Sequence, residues 1–97
     1  MTTVEEEFRE LGVVRGNLLM LRPVDAIDFI RKCRERGVKV LGVDGFHLTV
    51  ETTRPDLGES IEISNRSHRG GDCWNQAEEF LNERMGRDLF FEVVTDE

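Results

Sequence analysis

The middle of the chain alternates apolar and polar residues, and this alternation predicts paired β-strands. The stretch Val38–Glu51, VKVLGVDGFHLTVE, has apolar residues at alternate positions on both sides of Asp44-Gly45. An Asp-Gly pair in such a setting is a strong signal for a two-residue hairpin turn. That turn would place five apolar side chains together on one inner face of the hairpin: Leu41, Val43, Phe46, Leu48 and Val50. The opposite face is mixed in polarity, so we expect it to be partly exposed.

Two longer segments repeat their apolar residues at helical spacing. The first, Pro23–Arg36, starts with a proline suited to the first helical turn and is followed by Gly37, a typical helix stop. Acidic residues toward its start and basic residues toward its end complement the helix dipole. The second begins after Asp72, whose side chain can cap the helix, and ends at Gly86. Its predicted buried stripe consists of Cys73 or Trp74, Ala77, Phe80, Leu81 and Met85.

Shorter elements fill the rest of the chain. Thr3-Val4-Glu5-Glu6 matches a capping box and predicts a short helix over residues 3–11. Gly16-Asn17 is either a tight hairpin turn between two short strands or a loop before a single strand. Three further strands are predicted, with a polar turn region at Thr52–Glu59: Leu18–Leu21, Ser60–Ser64 and Leu89–Thr95. Phe90 and Phe91 are adjacent, so an aromatic ring is expected on each face of the last strand.

The order of these elements predicts one α+β domain over residues 1–97. A strand, a helix, a hairpin, a short strand, a helix and a strand follow one another, with a short N-terminal helix in front. We therefore expect a mostly antiparallel sheet with the two main helices on one face. A ferredoxin-like βαββαβ plan fits most of this order, although it leaves the strand Ser60–Ser64 without a place.

The charge balance narrows the partners that the protein can have. The chain has 13 Lys and Arg against 20 Asp and Glu, which gives a net charge of −7. This excess repels nucleic-acid backbones and anionic membranes, and it suits a soluble protein or one with a basic protein partner. No signal peptide and no apolar run of membrane-spanning length is visible, so we expect a cytoplasmic protein with Cys33 and Cys73 reduced.

Acidic side chains are spread over the predicted loops and sheet edges. No spacing places two of them in an apolar pocket where their pKa values would separate, so a recognition surface is favoured over paired catalytic acids. The mixed face of the central hairpin belongs to the same hypothesis. The predicted protein-binding residues are Asp44, His47, Thr49, Glu51, Asp56, Glu59 and Glu62.

A basic, glycine-rich loop before the second helix is another candidate site. Backbone N–H groups at a helix N-terminus attract anions, and two arginines add positive charge. The loop matches neither common phosphate-binding pattern, and Asp72 as a cap would occupy the same N–H groups. The residues of this anion-binding hypothesis are Arg66, His68, Arg69, Gly70 and Gly71.

No catalytic residue, metal site or cofactor is predicted. Cys73 and His68 could form a thiol–imidazole pair at the helix N-terminus, but a third orienting group is not evident. The spacing of His47 and His68 matches no metal-ligand pattern.

Three short stretches resemble a pattern found in small, mostly uncharacterised bacterial proteins of the toxin-immunity type. They are Val40–Phe46 (VLGVDGF), Arg54-Pro55-Asp56 and Ile61–Ser64 (IEIS). The resemblance implies a non-enzymatic protein that binds and neutralises a basic partner such as a toxin or nuclease. Two alternatives stay open: a small anion- or ligand-binding domain or enzyme that uses the loop Arg66–Cys73, and a structural module that forms a homodimer through an exposed sheet edge.

Overall fold

The computed structural model describes residues 2–63 and 72–97. The helices of this part are α1 (Val4–Phe8), α2 (Pro23–Arg36) and α3 (Cys73–Asn82), and a 3-10 turn at Arg9–Leu11 extends α1. The strands are β1 (Val13–Arg15), β2 (Leu18–Met20), β3 (Val40–Leu48), β4 (Thr53–Glu62) and β5 (Phe90–Thr95). All strand pairs are antiparallel. The predicted α+β class and mostly antiparallel sheet are confirmed.

The strand order places β3 at the centre of the main sheet. The sheet runs β4-β3-β5, and β1 pairs with β2 in a separate hairpin. Among the described residues, one β-bridge joins this hairpin to the sheet, where Leu21 and Phe91 exchange two backbone hydrogen bonds of 2.8 and 2.7 Å. The guanidinium of Arg15 in β1 also donates to the carbonyls of Thr49 and Thr52 at the end of the sheet. The spatial order β4-β3-β5-β2 differs from the ferredoxin-like plan. In that plan the strands that precede the two helices are central, whereas here the central strands β3 and β5 each follow a helix.

The predicted hairpin turn at Asp44-Gly45 is wrong. Both residues lie inside the continuous strand β3, and neither has a positive φ. The pairing of β3 with β4 shifts register between these two residues, which marks a bulge in β4. A Cβ on Gly45 would lie 2.5 Å from the carbonyl oxygen of Glu59. The glycine therefore permits a close approach of two backbones at the bulge.

The chain reverses further on, at Thr49–Thr52, where the N–H of Thr49 donates to the carbonyl of Thr52 at 2.9 Å. Most of the predicted polar turn region, and residues 60–62 of the next predicted strand, are therefore parts of β4. Because the turn lies at a different place, the set of residues on the inner face also differs from the prediction. Leu41 and Val50 are exposed by 36% and 97%, whereas Val40 is buried. A shifted turn alters which residues share a face, because side chains alternate along a strand.

Local end signals are confirmed at most helix boundaries. Helix α2 begins at Pro23 and is closed by Gly37 in the left-handed region at φ 70°. The hydroxyl of Thr3 accepts the N–H of Glu6 at 3.1 Å, as the capping box predicts. Asp72 accepts the N–H of Asn75 at 2.8 Å and caps α3. These contacts are local, which is why the sequence predicts them.

Two further predictions concern short elements. Gly16 has a φ of 61°, and β1 pairs with β2 across Gly16-Asn17, so the hairpin alternative is correct. Helix α3, in contrast, ends at Asn82 rather than near Gly86. Met85 is 47% exposed and not buried, contrary to the prediction, because it lies beyond the last helical turn that faces the core.

Helices α2 and α3 pack on one face of the sheet and enclose the core. Phe91 of β5 is fully buried and makes an edge-on contact with Phe80 of α3, with ring centroids 5.9 Å apart. Helix α1 joins the same core through Phe8, which lies 5.3 Å from Phe29. Phe90 has the opposite parity, and the guanidinium of Arg22 lies 4.1 Å from its ring centroid. Of the helices described, none is long and apolar enough to cross a membrane.

Candidate functional site

The face of the sheet that points away from α2 and α3 carries a row of carboxylates. Asp44 of β3 is paired with Ser60 of β4 on one side and with Glu92 of β5 on the other. Its strand neighbour Val43 is buried in the core, so these three residues point to the opposite face. Glu62 has the same parity as Ser60 and lies on this face as well. We call Asp44, Glu62 and Glu92 the acidic strip.

Glu92 has the most strongly perturbed environment in the acidic strip. Partial burial raises the pKa of its carboxyl group, and the charges of Asp44 and Glu5 raise this pKa further. Like charges directly opposite each other on neighbouring strands destabilise a sheet. This arrangement costs folding free energy, and a bound cation would relieve the repulsion. Carboxylates whose pKa is raised by specific neighbours are candidates for a functional site.

Most arginines of the described chain pair with acids outside the acidic strip. Those on α2 contact acids of α3 and α1, and none in residues 2–63 or 72–97 forms an ion pair with the strip. The pairs that join α2 to the other helices include Arg31–Glu78, Arg34–Glu78 and Arg36–Glu7. The negative charge of the strip is therefore available to a partner.

A cleft opens beside the acidic strip, where β2 and β5 diverge. In the described residues these strands pair only at the Leu21–Phe91 bridge. Phe91 directs its N–H and C=O toward β2, so Val93, two residues further on, directs its own groups the same way, into the cleft. The cleft has a volume of about 210 Å³. Its apolar wall is formed by Leu19, Leu21 and Phe29, and its acidic wall by Glu5, Glu92 and Glu97.

Four of the predicted protein-binding residues lie in the β3–β4 hairpin, away from the acidic strip. His47 and Asp56 contact each other through Nε2 and Oδ2 at 2.8 Å. This hydrogen bond is the main cause that lowers the pKa of Asp56. Thr49 shapes the turn, since its hydroxyl accepts the N–H of Thr52 at 2.9 Å. Glu51 is exposed in the same turn.

Glu59, another predicted protein-binding residue, is held inside the fold. Its two carboxylate oxygens accept hydrogen bonds from Arg84 at 2.5 Å and Arg87 at 2.8 Å. The guanidinium of Arg84 also lies 3.7 Å from the ring centroid of Phe80. Glu59 therefore anchors the β4 bulge to the segment that follows α3, and its charge is neutralised within the protein.

The structure joins two predicted residues, Asp44 and Glu62, to two that the sequence analysis missed, Glu92 and Glu5. The sequence contains a signal for Glu92, because it is the one charged residue in the strand FFEVVT, where every other residue except Thr95 is apolar. The position of Glu5 beside it depends on how α1 packs, which the sequence does not show.

The predicted anion-binding residues Arg66, His68, Arg69, Gly70 and Gly71 lie outside the described residues. Asp72, which follows them, caps α3 as described above. Burial raises the pKa of the Cys33 thiol to about 12, so it stays protonated at neutral pH. Within the described ranges, no group of three or more His, Cys, Asp or Glu side chains is arranged to hold a metal ion.

Comparison with known proteins gives no family assignment: no protein-family model matches the chain, and no curated protein matches it. One fold class serves many functions, so the function has to be inferred from the site itself.

Proposed function

We propose that this protein is a non-enzymatic binding module that recognises a basic partner protein through the acidic strip. The observation that carries the proposal is on the sheet face that points away from α2 and α3, where Glu92, with its raised pKa, lies opposite Asp44 without a cation from the described chain. A basic partner would supply the missing positive charge. Inhibitors and immunity proteins that neutralise basic toxins or nucleases have this kind of complementarity, which raises the association rate and excludes wrong partners.

The acidic strip also has an apolar neighbour that can anchor a partner. Exposed ion pairs contribute only about 0.2–1 kcal/mol each, so three of them do not give a tight complex. Leu41, which is 36% exposed, borders a shallow depression on this face together with Gly42 and Val94. Gly42 has no side chain, so the floor of the depression is backbone. A partner side chain can pack there while the carboxylates fix its orientation.

The outer edge of β4 does not favour the alternative of a homodimer formed by strand pairing. Hydrogen-bonded and non-hydrogen-bonded residue pairs alternate along an antiparallel pair of strands. The hydrogen bond between Thr49 and Thr52 therefore fixes which pairs of β3 and β4 are hydrogen-bonded. By alternation, the pair Phe46–Pro55 is not bonded, so Pro55 directs its nitrogen outward, where a pairing strand would need an N–H. The β4 bulge interrupts the same edge. Proline and bulges are features that keep edge strands from pairing with other chains.

The proposal is tested with two triple variants of equal charge. The first neutralises the acidic strip by Asp44→Asn, Glu62→Gln and Glu92→Gln. The second neutralises three exposed acids outside it, Glu6, Glu10 and Glu79, each changed to Gln. Both variants and the wild type are immobilised, and proteins from the source cell are captured at about 0.1 M salt and eluted at about 0.5 M, where charge interactions are screened.

We expect the wild type and the second variant to capture the same basic protein and the strip variant to bind it at least about tenfold more weakly. The captured protein is then purified and its affinity for each variant is measured by calorimetry. Equal affinity of the two triple variants would contradict the proposal, and so would the absence of any captured basic protein. Circular dichroism of all three proteins shows whether a loss of binding comes from unfolding.

A further inference from the structure

We infer that the cleft between β2 and β5 receives a single arginine side chain of the basic partner, with its guanidinium group between Glu5 and Glu92. This inference rests on the proposed function, because it names the chemical group by which the partner is recognised. It is carried by the shape of the cleft, by the open edge of β5 and by the complementary charge.

The size of the cleft fits one long side chain. Sites that hold whole small molecules measure about 300–1,000 Å³. The cleft measures about 210 Å³ and is open on one side, so it is too small for a cofactor-sized ligand. Leu19, Leu21 and Phe29 give it an apolar wall. The methylene groups of an arginine can pack on such a wall while the charged end reaches the polar side.

The hydrogen-bonding groups of the cleft favour a guanidinium group over an ammonium group. Glu5 and Glu92 offer carboxylate oxygens, and Val93 directs a carbonyl group into the space that β2 leaves open. These acceptors lie on two elements, α1 and β5. A ligand that binds all of them therefore needs hydrogen-bond donors that point in several directions. A guanidinium presents five N–H donors in a planar fork, whereas an ammonium is a compact point charge with three.

Glu97 adds negative charge to the cleft but has a structural partner already. Its Oε1 accepts the backbone N–H of Val4 at 2.9 Å, which ties the C-terminal residue to the start of α1. This contact joins the end of the chain after β5 to α1, the element that carries Glu5. Glu92 and Glu5, in contrast, have no ion-pair partner among the described residues, so they are the groups that an incoming guanidinium would neutralise.

The inference is tested by titrating the whole protein with N-acetyl-arginine-N-methylamide at constant ionic strength and recording amide chemical shifts. The citrulline analogue has nearly the same shape without the charge, and the lysine analogue has the charge without the fork. For one side chain we expect a Kd on the order of 1 mM. The amide signals of Asn17, Leu19 and Val93 should shift when the arginine compound is added. The other two compounds should bind at least about fivefold more weakly.

Two single variants separate the cleft from the rest of the acidic face. Glu92→Gln should weaken binding of the arginine compound about fivefold, since it removes one charge from the cleft. Glu62→Gln, on the acidic strip but outside the cleft lining, should leave binding within about twofold. Equal binding of the lysine compound, or equal effects of the two variants, would overturn the inference.

The failure of this inference can be told apart from the failure of the proposed function. If the strip variant loses the captured partner but the arginine compound shifts no amide of the cleft, the inference is overturned and the proposed function stands. If the arginine compound binds as expected but the wild type captures no basic protein, the cleft is shown to bind a guanidinium group and the proposed function is overturned.

Discussion

Asp44 and Glu92 lie directly opposite each other on β3 and β5, so two carboxylates are neighbours on the sheet face that points away from α2 and α3. Sheets are stabilised by opposite charges in such pairs and destabilised by like charges. Partial burial of Glu92 adds to the cost, and its pKa is raised as a result. We therefore expect the pair to weaken the isolated fold.

The first prediction is that Glu92→Gln stabilises the protein. Removing one of two opposed charges should raise the free energy of unfolding by about 0.5 kcal/mol at pH 7. For a domain of this size that corresponds to roughly 2–4 °C in Tm. Thermal unfolding followed by circular dichroism measures the change. Glu62→Gln is the control, since Glu62 lies opposite Gly42, and it should leave Tm nearly unchanged. A lower Tm for Glu92→Gln would show that Glu92 stabilises the fold.

The second prediction concerns the pH dependence of this difference. The pKa of the Glu92 carboxyl group is raised in the folded state above its ordinary value of 4.5, so the folded protein binds this proton more tightly than the unfolded chain does. The contribution of Glu92 to the free energy of unfolding is then greatest below the pKa that it has in the unfolded chain. This contribution falls as the pH rises through the pKa that Glu92 has in the folded protein. The stability gap between Glu92→Gln and the wild type should therefore close as the pH is lowered from 7 toward 4. Urea unfolding at several pH values tests this, and a gap that is constant with pH would contradict it.

The third prediction concerns the hydrogen bond between His47 and Asp56 at the other end of the sheet. The bond with His47 is the first cause of the lowered pKa of Asp56, so His47→Ala should move that pKa back toward its ordinary value. A depressed carboxylate pKa contributes stability above the unfolded pKa, and this stability is lost as the pH falls. The carboxyl carbon of Asp56, followed by NMR during an acid titration, reports the pKa. Thr53→Ala in the same hairpin serves as the control, and an unchanged pKa in His47→Ala would rule out the bond as the cause.

The fourth prediction tests the close approach at the β4 bulge. Gly45→Ala would place a Cβ 2.5 Å from the carbonyl oxygen of Glu59 and 3.2 Å from the ring of Phe91, and the backbone cannot yield without moving the bulge. We expect a loss of about 2–3 kcal/mol in the free energy of unfolding. Gly58→Ala is the matched control, because its Cβ would meet only the side-chain oxygen of Asp56 at 3.3 Å. Chemical denaturation measures both, and equal stability of the two variants would contradict the role assigned to Gly45.

Local signals in the sequence were sufficient for much of the fold. Pro23 and Gly37 mark the two ends of α2, and Asp72 marks the start of α3, because a helix end is built by residues within one turn of it. Gly16 likewise allows the β1–β2 turn through its own backbone conformation. In each case the interaction that decides the structure joins residues close together in the chain.

The candidate site could be predicted only in part. Asp44 and Glu62 were named from their acidity, but Glu92 joins them through the antiparallel pairing of β3 with β5, which brings together residues 48 positions apart. The dipeptide Asp44-Gly45 also shows that contacts with distant residues limit what the sequence predicts. An Asp-Gly pair suits a turn, but here it lies within a strand, where Glu59 and Phe91 approach Gly45 too closely for a side chain.

The sequence by itself determined the acidity of this protein, its α+β class and the ends of its main helices, since composition and local capping are independent of distant residues. The tertiary structure decided where β3 turns back, which carboxylates face each other, and where β2 leaves β5 to open the cleft. These features depend on strand register and on backbone contacts between distant segments, and one residue of register moves every side chain of a strand to the other face.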